Sequence, residues 1–226
     1  MFQGYQTVED MIKKFNPQAS VVETATFGMG CFWGPEAMFG SMAGVLRTRV
    51  GFAGGTSPKP TYRHMGDHTE TVEIDFDPAI ISYEDILRKF WQNHYPNRGN
   101  YKGRQYISML RYHGEQQKEA IKKVRKDMEK NLGEAIETEV AGYENFTLAD
   151  ERHQKYYLKR YPNTLEQLQE LFPKPELLID STFAARLNGF VKGYGKLHLL
   201  KSEIASWDIE EEDKEVLLNK LETIKW

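Results

Sequence analysis

Five residues, Gly30-Cys31-Phe32-Trp33-Gly34, concentrate the reactive potential of this chain. Cys31 is its only cysteine, followed by two aromatics and bracketed by glycines. Residues 21–27 are rich in β-branched side chains and predict a strand. Residues 35–42 predict a helix, with Pro35 in the first turn, where its missing N–H costs nothing. Cys31 thus stands where a strand turns into a helix. Unpaired N–H groups there favour an anion, and the thiolate is the form of cysteine that attacks. A small buried hydrophobe is the other reading of a single cysteine; the glycine bracket and the helix start favour the nucleophile.

A second reactive candidate comes from a strand pattern over residues 69–76. Val72, Ile74 and Phe76 share one face, and Thr71, Glu73 and Asp75 share the other. The period of two puts Glu70 on the apolar face, where a charge is expensive, and leaves Glu73 and Asp75 as the solvated acids. The competing reading of Glu70 is a strand-end acid paired with an arginine.

The elements that must position these groups follow in order. Residues 1–19 are polar and mixed and predict a short helix or arm. Leu46, Thr48, Val50 and Phe52 alternate with Arg47, Arg49 and Gly51, a half-buried strand. A Gly- and Pro-rich loop leads to Asp67. Ser82-Tyr83-Glu84-Asp85 is a capping box ahead of a helix whose buried stripe is Ile86, Leu87, Phe90 and Trp91. Strand 106–112, helix 114–132, strand 136–141 and helix 149–160 complete the pattern. The order β-α-β-β-α-β predicts an α+β, ferredoxin-like (split βαβ) two-layer sandwich with a helical C-terminal extension. We place an arm at 1–19, a catalytic domain at 20–173 and the extension at 174–226. A helix near 211–224 is expected there, with Glu210-Glu211-Glu212-Asp213-Lys214 as a solvated face.

Bulk properties exclude several classes. A net charge of −3, without a basic stripe, gives no footing for nucleic acid. No apolar run approaches the roughly 18 residues of a membrane helix, and no signal peptide is visible. One cysteine allows no internal disulfide or multi-cysteine zinc site, so no metal is expected, and it suits a reducing, cytoplasmic setting.

Gly-Cys-Phe-Trp-Gly resembles the active-site signature of the A-type peptide methionine sulfoxide reductases. The resemblance extends through Val50-Gly51-Phe52-Ala53-Gly54-Gly55, Pro60-Thr61-Tyr62, His68-Thr69-Glu70, Phe90-Trp91-Gln92-Asn93-His94, Gln105-Tyr106 and His153-Gln154. It implies an oxidoreductase that repairs proteins under oxidative stress by reducing methionine-S-sulfoxide, free or in proteins. Methionine sulfoxide carries a partly positive sulfur and a basic oxygen. Its reduction takes a soft nucleophile, an acid and an apolar wall for the methyl group. The resemblance implies Cys31 as nucleophile, passing through a sulfenic acid, and Glu70 as the acid, its proton retained by burial. It implies Tyr62 and Tyr106 as donors to the sulfoxide oxygen, and Phe32 and Trp33 as the wall. His153 matches a family histidine on a helix near the substrate.

The sequence departs from that pattern in places. The family's acid before Gln-Tyr is absent, and Tyr101 takes its place; Asp150-Glu151-Arg152-His153 stands for Glu-Asp-Tyr-His. The C-terminal resolving cysteines of many relatives are missing. No bound cofactor is expected, and the reductant is an external thiol: thioredoxin, glutaredoxin or glutathione. The alternatives are a degenerate relative that binds a methionine-like side chain without turnover, and an acyl transferase using Cys31 and His153.

Overall fold

A computed structural model describes residues 8–99 and 103–224. Tyr101 lies outside the described residues. The elements run α1 (Val8–Lys14), β1 (Glu23–Met29), α2 (Trp33–Gly40), β2 (Val45–Ala53), β3 (Thr69–Phe76), α3 (Tyr83–Gln92), β4 (Ser108–Tyr112), α4 (Glu115–Leu132), β5 (Glu139–Gly142) and β6 (Phe146–Leu148). Helices α5 (Pro162–Leu168), α6 (Pro175–Ile179), α7 (Thr182–Val191), α8 (Leu197–Ala205) and α9 (Glu211–Thr223) follow.

The molecule is a mixed α+β structure on a six-stranded sheet of order β5-β4-β1-β3-β2-β6. The pairs β1–β3, β1–β4, β2–β3 and β2–β6 are antiparallel, and β4–β5 is parallel. Its core joins inward-facing Phe27, Val50, Ile74 and Phe76 to Phe39 of α2, Ile86, Leu87 and Phe90 of α3, and Ile121 and Val124 of α4. Phe27 stacks on Phe39 at 5.2 Å and on Phe90 at 5.3 Å, so one strand residue ties two helices to the sheet. Helix α3 starts as its sequence predicts. Ser82 is the N-cap, its hydroxyl accepting from Asp85 N–H at 3.1 Å.

Several expectations need correction. Glu73 and Asp75 are buried, not solvated. Strand β3 is flanked by β1 and β2, and their side chains cover it on this face as well. Arg49 bridges Glu73 at 2.7 Å and Asp75 at 2.9 Å, Arg47 joins Asp75 at 2.9 Å, and Thr24 and Thr26 donate to the same two acids. The strand expected from 106 starts at Ser108, because residues Gly103–Tyr106 form a 3-10 turn. The helix expected over 149–160 is absent. Two 3-10 turns, Glu151–His153 and Leu158–Arg160, are separated by extended Gln154 and by Lys155, whose φ of 51° is left-handed. Strand β6 was not expected at all.

Residues beyond Pro173 build a second apolar cluster, with Leu178, Phe183, Leu187, Ile204, Trp207, Leu217 and Leu221 buried together with Leu158 and Phe15. Helix α9 falls where it was expected, but within its charged start Asp213 is buried and paired with Lys14 at 3.0 Å. Among the described residues no helix is long and apolar enough to cross a membrane.

Candidate active site

Strand β1 ends at Met29, and the chain turns at Gly30 with φ 97°, a conformation strained for any residue with a Cβ. A Cβ there would also meet Arg98 Nη1 at 2.8 Å. Cys31 follows, Phe32 is the N-cap of α2, and Trp33 is its first residue. The nucleophile candidate therefore does sit at a strand-to-helix turn. Cys31 is exposed as a residue, yet desolvation of its thiol is the largest influence on it and raises its pKa. The backbone N–H of Trp33 acts in the opposite sense, while the charge and hydrogen bond of Glu70 raise it further. The helix-start N–H thus acts in the expected direction but is outweighed by burial and by Glu70. The Phe32 N–H is spent on Glu70, and the nearby carboxylate opposes a second anion.

Glu70 is fully buried in β3, opposite Phe52 of β2, on the face that the strand alternation predicts. Its Oε2 accepts from Phe32 N–H at 3.1 Å, and its Oε1 accepts from Gln105 Nε2 at 2.8 Å. Burial pushes its carboxyl pKa up, against these two hydrogen bonds and one from Cys31. Among the described residues no arginine forms an ion pair with Glu70, so the strand-end salt-bridge reading does not apply. Gln105 Nε2 also donates to Tyr106 Oη at 2.9 Å. Cys31, Glu70, Gln105 and Tyr106 are therefore joined in one hydrogen-bonded group. Burial and the charge of Glu70 push the Tyr106 hydroxyl up to about 12, and Tyr62 is raised by the same two causes in the same order. Both phenols are neutral donors near pH 7.

The remaining candidates form an aromatic wall. Phe32 is buried and lies 6.3 Å from Trp33, 6.3 Å from Tyr62 and 5.6 Å from His153, centroid to centroid. Tyr62 and His153 stack at 4.4 Å. His153 is on a 3-10 turn, not a helix, and its pKa is lowered first by burial and then by Arg152, so its ring is neutral. Trp33 Nε1 and His153 Nδ1 are buried with no hydrogen-bond partner among the described residues, which gives the wall two polar points.

Two residues of the cluster were missed. Tyr156 stacks face to face on Trp33, with centroids 3.8 Å apart and planes 5° from parallel. Nothing singles it out among twelve tyrosines. Gln105 belongs to a quoted motif, but only the structure brings its amide between Glu70 and Tyr106. Arg104, next to it, holds the Gly103–Tyr106 turn in place. It donates to Asp67 O at 3.0 Å and pairs with Glu139 at 2.7 Å. A cavity of 570 Å³ lined by Tyr62, Arg63, His64, Asp150 and Arg152 adjoins the wall. No group of three or more His, Cys, Asp or Glu stands together as metal ligands among the described residues.

With this geometry in view, comparison with known proteins decides the family. Residues 23–184 match the model of the family described as peptide methionine sulfoxide reductase. The chain belongs to that family. A peptide methionine sulfoxide reductase of Drosophila melanogaster is 46% identical over 181 residues, which is 80% of this chain and 72% of the relative. Among solved structures, methionine sulfoxide reductase A of Corynebacterium diphtheriae aligns with a TM-score of 0.55 at 30% identity, covering 66% of this chain and 84% of its own. Mxr1 from Saccharomyces cerevisiae in reduced form gives 0.59 at 26% identity, over 66% and 91%. Like its relatives, this peptide methionine sulfoxide reductase is an oxidoreductase that reduces methionine sulfoxide, and the family's role is protein repair under oxidative stress.

Proposed function

We propose that the reductase acts on the S epimer of methionine sulfoxide, free or in proteins, with Cys31 as nucleophile and Glu70 as acid. The substrate methyl group packs against Phe32 and Trp33, with Tyr156 and His153 backing the indole. Tyr62 and Tyr106 donate to the sulfoxide oxygen. The Cys31 sulfur attacks the sulfoxide sulfur while the oxygen gains a proton from Glu70. The proton that the thiol gives up replaces the one the carboxyl delivers, so the step needs no external acid. The substrate S–O bond then breaks as the oxygen transfers to the Cys31 sulfur, the transient S–S bond breaks as methionine leaves, and Cys31 is left as a sulfenic acid. One external thiol converts it to a mixed disulfide and water, and a second thiol releases the Cys31 thiol and a small disulfide. Cys31 is the chain's only cysteine, which is why both thiols come from outside: a redoxin or glutathione.

The observation that carries this reading is the position of Glu70. It is buried, its pKa is raised, and it touches Cys31, the N–H of the next residue, and the glutamine that holds Tyr106. We further read β1, α2, β2, β3, α3 and β4 as a split βαβ unit within the larger sheet. From its single cysteine we assign the protein to a reducing compartment such as the cytoplasm. A steady-state assay with the separated S and R epimers of N-acetyl-methionine sulfoxide and dithiothreitol tests the reading. Turnover of the S epimer alone is expected, and equal turnover of both epimers would contradict it.

A further inference from the structure

Glu36 and Lys155 are charged, fully buried and unused by the reaction, and their side chains meet at 3.0 Å. Glu36 lies one turn into α2 from the nucleophile's turn, its N–H donating to Phe32 O at 3.0 Å. Lys155 lies between the two wall residues His153 and Tyr156. Its ammonium has three hydrogens and three oxygens to receive them: Glu36 Oε1 at 3.0 Å, Thr48 O at 2.6 Å and Ile179 O at 3.1 Å. Glu36 Oε2 meanwhile accepts from the Lys155 backbone N–H at 2.8 Å. One carboxylate therefore grips both the main chain and the side chain of the same residue.

We infer that the Glu36–Lys155 pair is a positioning device: it fixes the His153–Tyr156 segment against Trp33 and makes the C-terminal helices part of the catalytic unit. Three observations support it. Lys155 is held at φ 51°, a left-handed conformation uncommon for a residue with a Cβ, and here it is fully buried. The residues on either side of this clamp supply the rings on Trp33, Tyr156 at 3.8 Å and His153 at 5.9 Å, while Gln154 is pinned to β2 through Val50 N–H at 2.9 Å and Val50 O at 2.8 Å. The third ammonium contact, Ile179 O, comes from the end of α6, and the next helix closes on α2 directly. Arg186 Nη1 donates to Gly40 O at 2.7 Å, and a Cβ on Gly40 would sit 2.8 Å from Ala185 O. Buried ion pairs seldom add stability over apolar side chains of the same size. A fixed geometry at the wall is what this one supplies.

The inference rests on the proposed site, and its test separates the two. Active sites are first counted by the methionine released per chain without reductant. A parent protein with no Cys31-dependent release would remove the site reading itself. The positioning role is then read in Lys155→Met, Glu36→Gln and the double variant. Lys155→Met strands a buried carboxylate and lowers the melting temperature, and the double variant recovers much of that loss. In the double variant KM for N-acetyl-methionine-S-sulfoxide rises about 10-fold, while kcat per counted site stays within about 2-fold of the parent. KM does not depend on how much protein is folded, so Glu36→Gln, the mildest change, gives the same reading from its active fraction if the double variant folds poorly. A parental KM in the active fraction would show that the pair serves only to hold the fold, and would overturn the inference.

Discussion

The backbone N–H of Phe32 donates to Glu70 Oε2 at 3.1 Å. This bond spans from α2 to β3 and places the buried carboxyl against the residue that follows Cys31. The Phe32 N–H at the helix N-terminus, where the sequence predicts support for a thiolate, is taken by the Glu70 carboxyl. Both the thiol and the carboxyl then have raised pKa values, each first because of burial. Burial thus favours the protonated Glu70 carboxyl, whose proton can pass to a substrate.

Glu70→Gln keeps the shape and a hydrogen-bond acceptor but removes that proton. Sulfenic acid formation should slow by about 10²–10⁴-fold with little change in binding. The parental rate should fall as pH rises through the Glu70 pKa, which lies above the ordinary 4.5, and this limb should vanish in the variant. Single-turnover rates across pH test both statements. A variant within a few-fold of the parent means that water or another group supplies the proton.

Tyr62→Phe and Tyr106→Phe should each cost less than the pair of changes together, because either hydroxyl partly covers for the other at the sulfoxide oxygen. kcat/KM for the two single variants and the double variant closes the cycle. A double variant no worse than the poorer single one contradicts the shared-oxygen model.

How far this site was legible in the sequence depends on where each signal lies. Glu70 was found because its strand alternates, and Ser82 because a capping box is local in sequence. Glu73 and Asp75 were misread because a strand's own pattern does not reveal that both its neighbours will cover its second face. Arg47 and Arg49, one strand earlier, held the clue to their pairing. Residues 149–160 failed for another reason: Lys155 takes a left-handed turn, and its buried partners lie on α2, β2 and α6, far from it in sequence. Strand β6 has three residues, too few for a periodic signal.

His94 should make stability depend on pH. Its Nδ1 faces Phe90 O at 2.8 Å, an acceptor, so that nitrogen carries the proton and Nε2 accepts from Ser108 Oγ at 2.7 Å. The chain continues through Thr138 Oγ1 at 2.7 Å to the Trp91 N–H, a donor only. A second proton on His94 would reverse the Ser108 and Thr138 hydroxyls and leave the Thr138 hydroxyl proton in need of another acceptor. Burial pushes the pKa down from 6.5 to about 4, aided by Arg98 and opposed by the Phe90 bond. A group depressed on folding gives stability that is present above its unfolded pKa and lost as pH falls through the folded one. Between pH 6.5 and about 4 the loss should be on the order of 2–3 kcal/mol. Melting temperature against pH should fall less steeply over this window in His94→Gln than in the parent, and parallel curves would exclude His94 as the cause.

In the proposed cycle the oxygen passes from substrate to Cys31. The most direct measurement is one turnover without reductant, followed by mass spectrometry of the intact protein and of its dimedone-treated digest. One methionine per chain, one added oxygen and a dimedone adduct at Cys31 are predicted, with no product and no adduct in Cys31→Ser. One equivalent of methionine with no trappable sulfenic acid at Cys31, or undiminished turnover in Cys31→Ser, would contradict the account.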